Sequence, residues 1–120
     1  MIPPANKGYL LVLQELSKIY SMHVGYILNP KSTYLDKVYV RQVFVFYMKA
    51  TYANNVSYSY LANILGFKGA CAVTKAINRL AEKVLDEKKV PKQFGNLIVG
   101  EDYSKTKIKL DKCLLEYRDI

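Results

Sequence analysis

Three cations, Lys68, Lys75 and Arg79, stand seven and four residues apart, with Ala72 between the first two. On a helix that spacing stacks them on one face. A row of cations on one face is suited to bind a polyanion such as a nucleic-acid backbone. Thr74 and Asn78, on the same stretch, carry groups that can hydrogen-bond to base edges. The plain alternative is a solvated helix face. Acid–base chemistry has no comparable constellation. His23 is the sole imidazole, it lies in an apolar-flanked helical stretch, and a structural role suits it better. No nucleophile is paired with a base, and there is no carboxylate pair or Gly-rich phosphate loop. The chain is therefore expected not to be an enzyme and to use no cofactor. Cys71 and Cys113 form no CxxC, and a zinc site needs about four clustered N or S ligands. Both cysteines read as thiols of a reducing cytoplasm, with Cys71 a small, half-buried residue near a helix start.

The elements that position these cations can be read from apolar spacing. Val73, Ile77, Leu80 and Val84 recur at steps of four, three and four, the mark of one buried helical face. Before them, Leu61, Ile64 and Leu65 make a shorter stripe, and Ser57 is placed to cap its helix. The two stretches, Tyr58–Leu65 and Ala70–Leu85, meet at Gly66-Phe67-Lys68-Gly69. Helix, short Gly-containing corner, helix predicts a helix-turn-helix. Such a second helix, buried on one side and basic on the next, fits the major groove of DNA.

Elsewhere the spacing predicts a helix from Asn6 to Tyr20, with Leu10, Leu13, Leu16 and Tyr20 inward and Asn6 as its cap. A further turn is expected at Val24–Leu28, broken by Asn29-Pro30. Lys31 to Lys37 reads as a polar, basic loop. Tyr39–Thr51 reads as a helix through Val40, Val43, Phe44, Tyr47 and Met48. Its β-branched and aromatic content also suits a strand, but the apolar run exceeds ordinary strand length. Pro91 ends the long helix region. Phe94–Lys105 reads as a loop, with a short strand at Leu97–Val99, and Leu110–Tyr117 as a last short amphipathic helix. The expected fold class is therefore all-α, a small helical bundle. Residues 1–92 are expected to hold the helix-turn-helix and the N-terminal helix. Residues 93–120 are expected to pack on them or trail from them.

The 120 residues allow one core, and a hydrophobic share of 51% is ample to fill it. Eighteen Lys and Arg against ten Asp and Glu give a net charge of +8, which favours anionic partners. The excess clusters: residues 66–92 hold seven cations against three acids, whereas 93–120 are neutral. No apolar run is long enough to span a bilayer, and MIPPANKGY has no secretory apolar region. The expected setting is cytoplasmic, with no membrane partner.

Residues from Leu16 to Leu85 resemble the C-terminal DNA-binding domain of the bacterial replication initiator DnaA, a Trp-repressor-like helical fold. LSKIYSMHVGYIL looks like that family's entry helix and its short follower. Arg41-Gln42 matches its Arg-Gln at the start of the central helix. Ser57 to Gly66 matches its Ser-Leu-Pro-Glu-Ile-Gly-x-x-Phe-Gly element. The family's corner reads Gly-x-Arg-Asp-His-Thr-Thr-Val; here the residues are Gly66, Phe67, Lys68, Gly69, Ala70, Cys71, Ala72 and Val73. The resemblance implies a protein that binds duplex DNA, tied to replication or transcription control, as in a phage or mobile element. It implies backbone or minor-groove contacts from Lys31, Lys37, Arg41 and Gln42. It implies corner contacts from Tyr58, Ser59, Lys68, Ala70 and Cys71, and groove contacts from Thr74, Lys75, Asn78 and Arg79. Gly69, Ala70 and Cys71 cannot form the family's base hydrogen bonds, and Ala70 offers at most a contact to a methyl group. Lys68 keeps a charge but loses the arginine fork. Base recognition is therefore expected to be degenerate. The family's ATPase part has no counterpart here.

Two other partners fit the sequence as well. Eleven tyrosines suit a protein interface, with Tyr58 and Tyr60 as anchors. A basic surface rich in tyrosine also suits single-stranded nucleic acid.

Overall fold

The computed structural model describes residues 2–31 and 34–117. Over them the chain forms six α-helices: α1 Ala5–Ile19, α2 Val24–Leu28, α3 Leu35–Tyr52, α4 Tyr58–Leu65, α5 Ala70–Leu85 and α6 Val99–Leu115. Short 3-10 turns come after α3 and before α6. Among the described residues the only strand-like pairing is an isolated antiparallel bridge between Lys89 and Ile98. The fold is all-α.

The Tyr39–Met48 stretch is helical despite its β-branched and aromatic content. A helix apolar round most of its circumference belongs inside, and α3 occupies that place. Tyr39, Val40, Val43, Phe44, Val45, Tyr47 and Met48 are all buried. α1 and α5 pack on α3, and α6 lies against α1 and α5. The approach of α1 to α3 depends on Gly8. A Cβ there would lie 1.9 Å from the Tyr52 hydroxyl oxygen, which donates to the Pro3 carbonyl at 2.8 Å.

Several expectations change. α1 starts one residue earlier than expected, with Pro4 rather than Asn6 in the cap position. Its inward face is Gly8, Val12, Leu13 and Leu16; Leu10 is 49% exposed. The region after Phe94 is loop only as far as Ile98, which makes a single bridge to Lys89 in place of a strand. Val99 begins a helix of 17 residues, and the expected separate helix at residues 110–117 is only the C-terminal part of it. That helix buries Val99, Asp102, Thr106, Leu110 and Leu114, so it completes the core. Its polar contacts reach across the bundle. Tyr20 and Tyr39 each donate to Asp102 Oδ2 at 2.6 Å. Because Tyr20 spends its one proton on Asp102, the Thr106 hydroxyl at 3.0 Å donates to Tyr20. Ser32 and Thr33 of the expected basic loop, and residues 118–120, lie outside the described residues.

No helix among the described residues is long and apolar enough to cross a membrane.

Candidate nucleic-acid interface

The corner between α4 and α5 is built from local rules. Ser57 caps α4, its hydroxyl accepting from the Tyr60 amide at 3.0 Å. Gly66 ends α4 at φ 69°, a left-handed conformation that glycine adopts without a Cβ penalty. The Phe67 amide donates to the Ala62 carbonyl at 2.9 Å and the Gly66 amide to Asn63 at 3.4 Å. This pairing satisfies the last carbonyls of α4. Gly69 precedes α5 in extended backbone, with no side-chain cap and no acid in the first helical turn. The positive end of the α5 dipole therefore favours an anion.

α5 packs through Val73, Ala76 and Leu80, which are buried, and Ile77, which is half-buried. Val84, expected in this stripe, is 38% exposed. It lies at the helix end, near Gly100: a Cβ on Gly100 would meet Val84 at 3.6 Å. Lys68, Lys75 and Arg79 are exposed, and none joins an ion pair among the described residues. Cys71 and Asn78 are exposed beside them, while Ala70 and Thr74 are half-buried. The Thr74 hydroxyl makes a long bond to its own helix, to the Ala70 carbonyl at 3.4 Å. Lys83 belongs elsewhere. Its ammonium turns inward to Gln42 Oε1 at 2.8 Å, over the Tyr39 ring, and burial, then Arg79, lowers its pKa.

The residues expected from α3 are placed differently. Arg41 and Gln42 are buried, not spread on a neighbouring backbone. Arg41 donates through Nε to the Ile27 carbonyl at 2.6 Å and through Nη2 to the Asn29 carbonyl. Its guanidinium also faces the Phe67 ring at 5.8 Å. It thus ties the end of α2 and the helix-turn-helix corner to α3, a bracing role. Pro30 packs against Gly66 at the same junction, which sets exposed Lys31 beside the corner. Lys37 is the sharpest correction. α3 starts at Leu35, so Lys37 lies in its first turn rather than in a loop. Its side chain is wholly buried, and its ammonium nitrogen has no hydrogen-bond partner.

Between α3 and α5 lies a cleft of about 210 Å³. Val38, Phe67, Ala72 and Ala76 give it an apolar lining, and Arg41, Lys75 and Arg79 contribute its charge. Val38 and Phe67 carried no sequence signal for this role, because nothing local links the start of α3 to the corner.

The tyrosines of α4 are already engaged. Tyr60 meets Tyr9 edge-on, with ring centres 6.1 Å apart. The Lys49 ammonium sits over the Tyr58 ring at 4.8 Å. Ser59 is exposed. Among the described residues no cluster of three or more His, Cys, Asp or Glu is placed to hold a metal. Compared with known proteins, the chain matches no family model, no curated protein and no solved structure.

Proposed function

We propose that this protein binds nucleic acid, duplex DNA first, through α5 and the corner that precedes it. The observation that carries this reading is the exposed pair Lys75 and Arg79, one turn apart on α5, with Lys68 exposed on the corner before it and no acid paired to any of the three among the described residues. Unpaired cations keep their full attraction for phosphate, whereas paired ones must first break a contact. Lys31, beside the corner, extends the same surface. Contacts of this kind fix position on the backbone without reading sequence. Base reading is left to Asn78, Thr74 and Ser59, a sparse set, so selectivity is weak. The likeness to the DnaA C-terminal domain rests on the order of elements and the Ser57–Gly66 stretch. The burial of Arg41 and Gln42 weakens the part of that likeness concerned with backbone contacts. A protein partner anchored by Tyr58 and Tyr60 is less favoured, since both rings already have partners within the fold.

The test is a titration of duplex DNA, single-stranded DNA and RNA at two salt concentrations. Lys75→Ala with Arg79→Ala is expected to weaken binding to all sequences alike. It should flatten the salt slope by about two and leave the melting temperature nearly unchanged. Lys105→Ala with Lys107→Ala is the control, because Lys107 is already paired with Asp111 at 2.7 Å. Greater damage from the control pair would defeat the assignment of α5.

A further inference from the structure

A second pocket, of about 310 Å³, opens between the end of α1, the 3-10 turn Lys92–Phe94 and the first half of α6. Phe94 and Leu97 give it an apolar wall, Asp102 and Thr106 a buried polar floor, and Lys105 and Lys109 a charged rim. It shares no residue with α5 or with the corner before it. Asp102 is only 7% exposed, and its two phenol partners, Tyr20 and Tyr39, both donate to Oδ2. Oδ1 accepts from nothing among the described residues. It is not sealed in, because the only polar side-chain atoms buried there without a partner are the Lys37 ammonium nitrogen and the Tyr103 hydroxyl oxygen. The pocket that Asp102 lines is the open space beside it. A carboxylate oxygen so deep in the fold gains from a donor that the protein does not supply.

Lys105 and Lys109 are exposed and stand one turn apart on α6. Helical side chains tilt toward the N-terminus, so both lean back along α6 toward Asp102. Neither joins an ion pair or hydrogen bond among the described residues. The pocket thus offers an acceptor at its floor, cations at its rim and apolar surface between. A lone cation is attracted by Asp102 and repelled by the lysines; a lone anion meets the reverse. A divalent metal fits poorly for the same reason, and no cluster of three His, Cys, Asp or Glu is placed to hold one among the described residues. A small molecule with both charges on neighbouring atoms satisfies floor and rim together.

We infer that this pocket binds a free α-amino acid with an apolar side chain. Its ammonium donates to Asp102 Oδ1, its carboxylate meets Lys105 and Lys109, and its side chain lies against Phe94 and Leu97. The bond at the floor is charge-assisted. The two phenols already hold the Asp102 carboxylate in place, so little ordering is lost on binding. The volume is roughly twice the ~150 Å³ in which an apolar cavity takes up benzene, which leaves room for leucine. The inference is independent of the nucleic-acid reading, and either can fail alone.

The experiment is calorimetric titration of the protein with leucine, leucinamide and N-acetylleucine at about pH 6.5, where a free α-amino group stays protonated. Leucinamide lacks the carboxylate and N-acetylleucine lacks the ammonium, while the side chain is unchanged. Leucine is expected to bind, and each capped form to bind at least about tenfold more weakly. Lys105→Gln with Lys109→Gln is expected to remove the advantage of leucine over leucinamide at an unchanged melting temperature, since both side chains are exposed. Asp102→Asn is expected to abolish binding. Because Asp102 also holds Tyr20 and Tyr39, the rim variant and the capped ligands decide the matter if that variant does not fold. No binding of leucine up to about 10 mM overturns the inference. So does leucinamide binding as tightly as leucine, or a preference for leucine that survives in the rim variant.

Discussion

The Tyr39 hydroxyl on α3 donates to the Asp102 carboxylate on α6 across 2.6 Å, and Tyr20 from the end of α1 donates to the same oxygen. Two phenols and no cation hold this buried acid among the described residues. Phe94 packs its ring against both phenols, with centres 4.8 Å and 6.3 Å away. The cluster joins three helices that are distant in sequence, at the end of the bundle where α6 begins.

Tyr39→Phe removes a hydrogen bond to a charged acceptor in the interior and is expected to cost about 1.5–3 kcal/mol. Chemical denaturation measures it. The same cluster fixes an alkaline limit. Burial first, then Tyr20 and the bonded Asp102, raises the Tyr39 pKa, and burial with Asp102 raises that of Tyr20. Above the ordinary phenol value of 10.0 the unfolded chain releases protons that the folded chain keeps. Stability is full below that pH and falls as pH rises beyond it. Tyr39→Phe should flatten this alkaline decline; an unchanged slope would show that the phenol titrates freely in the fold.

Tyr103→Phe is the converse case. Its hydroxyl is buried without a partner, its ring sits edge-on to Phe46, and burial with nearby Asp111 raises its pKa to about 12. Removing an unsatisfied polar atom while keeping the ring should stabilise the protein by about 1 kcal/mol. A loss of that size would mean that the hydroxyl is bonded in solution.

Gly8→Ala tests the packing of α1 on α3. The new Cβ would overlap the Tyr52 hydroxyl, whose bond to Pro3 holds the N-terminal segment down. Alanine favours helix by about 0.8–1 kcal/mol over glycine, but overpacking costs about 1–3 kcal/mol. Net destabilisation is expected in thermal melts. Gly8→Ala combined with Tyr52→Phe should recover only part of it, because the closest overlap is with the hydroxyl while the ring carbon Cζ, 2.8 Å from the new Cβ, remains.

The helix-turn-helix was legible because its signals are local. Ser57 caps within three residues, Gly66 stops α4, and the α5 stripe Val73, Ile77 and Leu80 is apolar throughout. α6 was not, although its buried positions Val99, Asp102, Thr106, Leu110 and Leu114 keep helical steps. Two of those five are polar and are satisfied by phenols more than 60 residues away, so the stripe does not look apolar in sequence. Leu10 misled in the opposite sense: an apolar residue took the outer face while Gly8 went inside. The charges of α6 were also hidden. The stretch 93–120 that contains it is neutral by count, yet Asp102 is bonded to phenols and Asp111 to Tyr47 and Lys107. Within the candidate site the exposed cations of α5 agree with their spacing. The inward turn of Lys37, Arg41 and Gln42 has no such signal, because the α2 residues that meet Lys37 and Arg41 and the α5 lysine that meets Gln42 are brought there by tertiary packing.

Lys37→Met gives a stability test that needs no ligand. The unfolded lysine takes up a proton as pH falls below about 10.5, while the buried amine resists until the pH reaches its lowered folded value. Between those two values the unfolded state holds more protons, so wild-type stability rises with pH. Below the folded value both states are protonated and the full penalty of burying the charge applies. Methionine carries no proton in either state and fills the same apolar space over Tyr26. The variant is therefore expected to melt above the wild type at neutral pH, and the gap should narrow as pH approaches 10. The alkaline titration of the tyrosines is common to both proteins and cancels in the difference. A gap that is constant with pH would place the Lys37 ammonium in water. A variant less stable at neutral pH would show that the amine has a partner worth more than its burial costs.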